Sequence, residues 1–319
     1  DRFRRTAIPD PTGMVGGRSV HTGWYEEPEW RPDARGEVRN RDFFGGSLAG
    51  VLEKLDYLRD LGVETLYFCP IFEAPENHRY GTGDYEKIDP MLGSNQDFEV
   101  LCAAARARGM RVMLDGVFNH QGFVSRYFNG DGSYPAVGAS QSQTSPYYRW
   151  YHFTHWPDKY DAWWGIYSLP AVNESEPGYM DYIIRAPDSI VRRWLRAGAD
   201  GWRLDVADEL PDDFIHALRA AVREIVPGGA GQHHVAQPQL FGRLCHMHRL
   251  LRIRRQRVAR GHIAEPAVPG ADVPQQQERG GVLLIALPQI GTVGLPAHRV
   301  QLQVPHQPFA QHNLLLVAS

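Results

Sequence analysis

The segment Gly201–Glu209, with the sequence GWRLDVADE, places an arginine and a carboxylate two positions apart. We interpret its first six residues as a short buried strand. Because successive side chains of a strand point to opposite faces, Arg203 and Asp205 must share one face. A guanidinium beside a carboxylate favours the ionised form of the acid and fixes its direction. An ionised, oriented aspartate is the group that a retaining glycosidase uses as its nucleophile.

An isolated Arg-x-Asp pair is more often a structural ion pair at the end of a strand. A second motif, Asp115-Gly-Val-Phe-Asn119-His120, favours the catalytic interpretation. It closes the run 111–118, which is too continuously apolar for a strand at a solvent-facing edge. In a barrel enzyme the catalytic groups stand at the carboxyl ends of parallel strands. We therefore expect the polar residues of both motifs to meet at one mouth.

The two motifs resemble the first and second signature regions of the α-amylase family of glycoside hydrolases (family 13). Two further stretches agree: residues 62–72 (GVETLYFCPIF) look like the second barrel strand of that family, and residues 78–90 (HRYGTGDYEKIDP) look like the loop after it. The segment LPAVNE at 169–174 and the Val-Ala-Asp-Glu ending of the second region resemble the neopullulanase, cyclomaltodextrinase and maltogenic amylase branch. The resemblance covers about residues 1–227.

The resemblance implies a role for each candidate site residue. Asp205 would be the nucleophile that forms a covalent glycosyl intermediate, and Arg203 would hold it ionised. His120 would hydrogen-bond the sugar in the reacting subsite, Tyr85 would stack beneath that sugar ring, and Asp115 would support Arg203. The implied reaction is the retaining hydrolysis of α-1,4 and α-1,6 glucosidic bonds in cyclodextrins, pullulan, starch or maltooligosaccharides.

A retaining glycosidase also needs a carboxylic acid about 5 Å from its nucleophile. The acid of the family is a Glu that ends the next strand, and the corresponding residues 228–237 read GGAGQHHVAQ, with no carboxylate. The later His-Asp signature of the family is also missing. Two alternatives therefore stay open beside hydrolysis: an inactive fragment that binds sugar weakly at most, and an α-glucosyl transferase of the same family.

The resemblance also raises the question of calcium. Asn119 matches a position that ligates calcium in many α-amylases, whereas the neopullulanase branch uses an Asn/Asp-rich loop and a Gly-Gly-Asp. At those two places this chain has RRTAI (4–8) and GGS (45–47). Its oxygen ligands thus fall short of the six to eight that calcium takes. We predict that no cofactor is required, with Asn119 as the candidate ligand if calcium binds.

The composition is that of an ordinary globular enzyme, with 43% hydrophobic residues, 11% aromatic residues and a net charge of −3. This charge gives no reason to expect nucleic acid or a membrane surface as a partner. No run of about 18 apolar residues is present to span a bilayer. The three cysteines form neither a disulfide framework nor a metal motif, which favours the cytoplasm. The parent enzyme could be a homodimer.

The composition changes at Pro227. All 8 tryptophans and all 14 tyrosines precede it, whereas residues 228–319 hold 9 arginines against 3 acidic residues, and 8 of the 14 histidines. The His and Cys positions there match no familiar metal-ligand spacing, and a basic nucleic-acid arm at 249–260 is a weaker alternative. We interpret 228–319 as a non-matching tail, out of frame or disordered, that proteases would clip near its start.

Strand and helix signals alternate before that point, as in parallel β/α units. Ser47 and Ser94 are predicted helix caps, and Gly62 is predicted to stop the first helix. The predicted strands are 64–71, 111–118 and 201–206, and the later predicted helices are 188–196 and 214–225.

The fold predicted for these elements is α/β, about the first half of a TIM-type (β/α)8 barrel. Residues 1–120 would form its first part, 121–177 a small domain inserted over the cleft, and 178–227 the continuation with the nucleophile strand. The insertion is rich in Trp and Tyr, whose rings either fill a core or stack on the apolar faces of sugars.

Overall fold

Helices and strands alternate in the computed structural model, which describes residues 1–6, 9–34, 36, 38–226 and the backbone of 314–318. The strands are β1 (Met14–Val15), β2 (Arg18–Ser19), β3 (Val63–Phe68), β4 (Phe72–Glu73), β5 (Asp84–Ile88), β6 (Arg111–Gly116), β7 (Phe153–His155), β8 (Lys159–Tyr160), β9 (Gly201–Leu204) and β10 (Leu314–Ala318). The helices are α1 (Leu48–Glu53), α2 (Leu55–Asp60), α3 (Asn95–Arg106), α4 (Pro177–Met180), α5 (Ile190–Arg196) and α6 (Asp212–Ile225). A π-helical turn, Asp181–Arg185, follows α4, and two 3-10 turns lie at Tyr148–Trp150 and Trp163–Gly165.

The central sheet has four strands in the order β10-β3-β6-β9. β3 pairs in parallel with β6, and β6 pairs in parallel with β9. The register sets Phe68 opposite Leu114 and Asp115 opposite Arg203. These are the three strands predicted from the sequence, and their shared direction brings the residues at their carboxyl ends to one edge of the sheet.

The outer edge of β3 carries β10, which runs antiparallel to it with Leu314 opposite Phe68 and Ala318 opposite Val63. This strand departs from the sequence prediction of a disordered tail. It also differs from the arrangement of a (β/α)8 barrel, whose strands are all parallel. The rest of the predicted tail lies outside the described residues.

Local capping signals start the first helices as predicted. Ser47 Oγ accepts from the Gly50 N–H at 3.1 Å, and Ser94 and Asp97 form a reciprocal capping box. The single helix predicted after Ser47 is divided at Lys54, whose φ of −105° and ψ of 5° leave helical geometry, and Gly62 follows with a φ of 90°. Among the described helices, none is both long and apolar enough to cross a bilayer.

Replacement of the α3 cap should measurably destabilise the fold. We expect Ser94→Ala to lower the free energy of unfolding by about 1 kcal/mol, because the Asp97 N–H loses the Oγ acceptor that lies 3.2 Å away. Urea denaturation followed by circular dichroism measures this loss. Ser133→Ala, in an exposed loop, is the control; an equal loss in both variants would contradict the role of the cap.

The core lies between the central sheet and the helices. Leu66, Val112 and Trp202 of the sheet are 0% exposed, and the helix residues that pack in the same cluster are Leu55, Phe98, Leu101, Trp194, Phe214 and Leu218. Leu66 pairs with Val112, and Leu114, two positions further along β6, pairs with Trp202. These apolar side chains therefore share one face of the sheet, the face that the helices cover. This packing fixes the positions at which β6 and β9 end.

The segment 121–177 shares this core. Phe128, Trp150 and Tyr151 are at most 5% exposed and belong to the same apolar cluster, whereas Trp164 is 70% exposed. The aromatic residues of the segment thus divide between the two roles that the sequence left open. All described residues belong to one compact unit, and a separate small domain at 121–177 stays a prediction.

Candidate active site

Three charged side chains meet at the carboxyl ends of β6 and β9. Arg203 Nη1 donates to both carboxylate oxygens of Asp115, at 2.9 and 3.1 Å, and to Oδ1 of Asp205 at 2.8 Å. Cross-strand register sets Asp115 beside Arg203, and the two-residue alternation of a strand sets Arg203 beside Asp205. The structure therefore brings together three of the residues that the sequence named. One guanidinium lies between two carboxylates.

Burial dominates the protonation of both carboxylates. Asp115 is 2% exposed, and desolvation raises its pKa to about 6 against the opposing charge of Arg203. The side chain of Asp205 is 14% exposed, and burial also raises its pKa above the ordinary value, although Arg203 lowers it. The sequence shows the arginine, which lowers the pKa of Asp205, but not the burial, which raises it. Loss of water disfavours the charged form more than the single cation favours it.

The backbone directly after Asp205 adopts an unusual conformation. Val206 has a φ of 48°, and this left-handed region is a genuine outlier for a β-branched residue. The Val206 N–H hydrogen-bonds the Asp205 carboxylate, which lowers the pKa of that acid, while the Asp205 N–H donates to the Gly116 carbonyl at 3.1 Å. Such strain persists where the surroundings fix it, and it is concentrated at functional sites.

Two tyrosines that the sequence prediction did not name bind Asp115. The Tyr67 hydroxyl donates to Oδ2 of Asp115, and the Tyr80 hydroxyl donates to the same oxygen at 3.2 Å. Burial raises the pKa of both phenols, so both remain donors. Tyr67 lies opposite Met113, which is two positions before Asp115. Met113 and Asp115 point to the same face of the sheet because strand side chains alternate, and Tyr67 therefore shares that face.

Tyr85 does not occupy the predicted place beneath a sugar ring. It is 0% exposed, and its hydroxyl donates to the Val117 carbonyl. Its ring packs among other aromatic rings, those of Phe72, Phe118 and Tyr127. The prediction for Tyr85 is therefore wrong, because a ring enclosed by the core offers no face to a ligand. Tyr80, five residues earlier in the same loop motif and half-buried, is the tyrosine that reaches the charged cluster.

His120 lies at the end of the β6 motif and is 1% exposed. Its ring stacks on Trp163, with centroids 5.0 Å apart and an interplanar angle of 27°. Within the described residues, neither ring nitrogen makes a hydrogen bond of normal geometry. Burial lowers the pKa of His120 to about 4, so the ring is neutral at pH 7. A neutral imidazole has one donor and one acceptor with which to bind a hydroxyl group.

Asn119, the candidate calcium ligand, lies buried at the end of the β6 motif. Asn119 is 3% exposed, and neither its side-chain oxygen nor its nitrogen has a hydrogen-bond partner among the residues that the structure describes. Its carbonyl accepts from the Val172 N–H at 3.0 Å. In the described part of the chain, no three His, Cys, Asp or Glu side chains are grouped so that they could hold a metal ion. Calcium takes six to eight oxygen ligands, and the Asn119 side chain offers one. A calcium ion at Asn119 stays a prediction.

Comparison with known families and proteins finds extensive similarity. Residues 10–257 match the model of the alpha amylase catalytic domain, beyond the residue 227 at which the sequence motifs stopped. An amylopullulanase of Thermoanaerobacterium saccharolyticum is 42% identical over an alignment of 231 positions, and the match covers 65% of this chain and 18% of that protein. An intracellular maltogenic amylase of Bacillus subtilis is 40% identical over an alignment of 213 positions, and the match covers 63% of this chain and 34% of that protein. The chain thus spans well under half the length of these relatives.

Two solved structures illustrate the similarity of fold. The crystal structure of Ttha1563 from Thermus thermophilus matches with a TM-score of 0.56 and 38% identity, covering 71% of this chain and 44% of that one. The type III pullulan hydrolase from Thermococcus kodakarensis matches with a TM-score of 0.51 and 35% identity, covering 59% of this chain and 32% of that one. Both similarities include only part of the larger structure.

Proposed function

Because the chain belongs to the α-amylase family, whose catalytic-domain model matches residues 10–257, we propose that it carries the nucleophile side of a retaining α-glucan glycosidase. Asp205 is the proposed nucleophile. The observation that carries this proposal is the bridge that Arg203 makes between Asp115 and Asp205 at hydrogen-bonding distance. A retaining glycosidase requires a carboxylate that is held in one direction before the substrate arrives.

In the proposed reaction the Asp205 carboxylate attacks the anomeric carbon and forms the glycosyl ester. The bond to the leaving oxygen breaks, and that oxygen takes a proton from a general acid. Water then attacks the ester, so that the sugar leaves with its original configuration. We assign no described residue as the acid. Residues 228–237, where the resemblance places the Glu of the family, lie outside the described part of the chain.

Tyr80 and His120 complete the proposed reacting subsite. Tyr80 replaces Tyr85 as the candidate platform, because it is half-buried and its hydroxyl is fixed on Asp115. His120 supplies a neutral ring whose nitrogens make no hydrogen bond of normal geometry within the described residues, which suits a hydrogen bond to a sugar hydroxyl. Asp115 acts on the reaction through Arg203 and Tyr80.

The proposed substrates are glucans with α-1,4 or α-1,6 bonds. Similar proteins carry the names amylopullulanase, intracellular maltogenic amylase and cyclomaltodextrinase. The match to the family model, residues 10–257, includes both predicted signature regions. The absence of a nucleic-acid partner, a cytoplasmic location and a homodimeric parent enzyme stay predictions.

Covalent trapping tests the proposed nucleophile directly. A 5-fluoro-α-glucosyl fluoride slows the second step, and its fluoride leaves without help from an acid. We expect incubation with the full chain to add one fluoroglucosyl group, which peptide mass spectrometry locates on Asp205. An unlabelled protein, or a label on another carboxylate, would overturn the assignment.

The labelling rate should increase with pH. Attack requires the ionised form of Asp205, and burial places the pKa of that acid above the ordinary value of 3.8. The rate is therefore expected to fall as pH falls, with a midpoint above 3.8 rather than below it. Initial rates of fluoride release between about pH 2.5 and 8 measure this midpoint. A midpoint below the ordinary value, with circular dichroism unchanged, would show that Arg203 outweighs burial.

A further inference from the structure

A continuous aromatic stack leads from His120 to the surface. Trp163 stacks on His120 at 5.0 Å and on Trp164 at 5.3 Å, with interplanar angles of 27° and 24°. Trp163 is half-buried, whereas Trp164 is 70% exposed. The stack therefore begins at a buried group of the proposed reacting subsite and ends in an exposed indole face.

Trp164 is also tied to the loop that follows the nucleophile. Its Nε1–H donates to Oε1 of Glu209 at 3.1 Å, and the Glu209 N–H donates to the Val206 carbonyl at 2.9 Å. The Glu209 charge is close enough to raise the pKa of Asp205. Trp164 is thus linked to His120 through Trp163, and to the loop after Asp205 through Glu209.

The backbone at Trp164 and Gly165 is strained, and packing does not explain this conformational strain. Trp164 has a φ of 51°, and Gly165 follows with a φ of 76°. A bulky residue in the left-handed region is an outlier, and its exposed ring gains little from burial. A strained, exposed aromatic residue held by a carboxylate is a feature expected of a ligand-binding surface.

The chemistry of the exposed ring selects the ligand. The polar N–H of the indole is already used by Glu209, so the remaining surface is a flat apolar face. Pyranose rings present such a face through their C–H groups, and aromatic rings stack on it. We propose that Trp164 is a platform for a second glucose ring of the bound α-glucan, adjoining the ring that contacts His120, and that Glu209 fixes the indole in position. This inference rests on the proposed function.

Binding of short oligosaccharides tests the platform. The full chain is titrated with glucose and maltotriose by calorimetry, for the wild type and for Trp164→Ala. We expect the variant to bind maltotriose about five- to tenfold more weakly and the ratio of maltotriose to glucose affinity to fall. Trp164→Phe should retain most of the affinity, since it keeps an aromatic face. Glu209→Gln should show an intermediate loss, because its amide oxygen still accepts from the indole.

Trp30→Ala is the matched control. Trp30 is also exposed, at 48%, and its Nε1–H also donates to a glutamate, Glu27, at 2.9 Å. This variant should bind both sugars as the wild type does. Equal maltotriose affinity in wild type and Trp164→Ala overturns the platform, as does a wild type that binds no maltotriose. Labelling of Asp205 in the wild type is scored separately, so failure of the platform is distinct from failure of the proposed function.

Discussion

Asp205→Asn should slow the labelling by the fluoroglucosyl fluoride, and the turnover of simple α-glucosyl fluorides, by at least about 10³-fold. The amide has nearly the shape of the carboxylate but lacks the negative charge that attacks the anomeric carbon. Fluoride release measured with an ion-selective electrode gives the rate for variant and wild type. Because fluoride leaves without an acid, this loss reports on the nucleophile alone.

The stability of the same variant separates chemistry from folding. Asp205→Asn removes an attraction to Arg203 but also a partly buried charge whose pKa is raised by burial. These two effects oppose each other, so we expect a change in the free energy of unfolding below about 1 kcal/mol. Asp208→Asn, three residues further on and exposed, is the control. Undiminished labelling of Asp205→Asn would move the nucleophile to another carboxylate.

The sequence predicted the features that depend on short-range geometry. The two-residue alternation of a strand gives the shared face of Arg203 and Asp205 without any knowledge of the fold. The capping box at Ser94 follows from the spacing of Ser and Asp. The three parallel strands follow from apolar runs that alternate with helical periodicity. Each strand and each cap is signalled within about a dozen residues, and the parallel arrangement follows from the alternation of strands and helices.

The sequence did not predict features that depend on burial. Tyr80 and Tyr85 lie in one loop motif, and the choice between them depends on where β5 begins. Tyr85 falls inside that strand, and its hydroxyl finds the Val117 carbonyl. The direction of the pKa shift at Asp205 has the same origin, because the sequence shows the cation and not the loss of water. β10 was missed because its partner β3 is far away in sequence.

Arg203→Met should destabilise the fold more than any other substitution in the site. The methionine fills similar volume but leaves Asp115, which is 2% exposed, without its cation. Breaking a buried ion pair costs about 3–5 kcal/mol. Because Arg203 is 36% exposed, water screens part of this interaction, and we expect a loss of about 2–3 kcal/mol at pH 7. Urea denaturation measures it.

The dependence of that loss on pH identifies its cause. Burial already raises the pKa of Asp115 to about 6, and removal of the arginine raises it further. A carboxyl whose pKa is higher in the folded state than in the unfolded state binds more protons when folded, so stability is lost as pH rises through the two values. The loss caused by Arg203→Met should therefore be small at about pH 5 and larger at about pH 8. The double variant Arg203→Met/Asp115→Asn should recover most of the stability at the higher pH, because no carboxylate then remains at position 115. A loss that is equal at both pH values and persists in the double variant would mean that Arg203 stabilises the fold by packing rather than by charge.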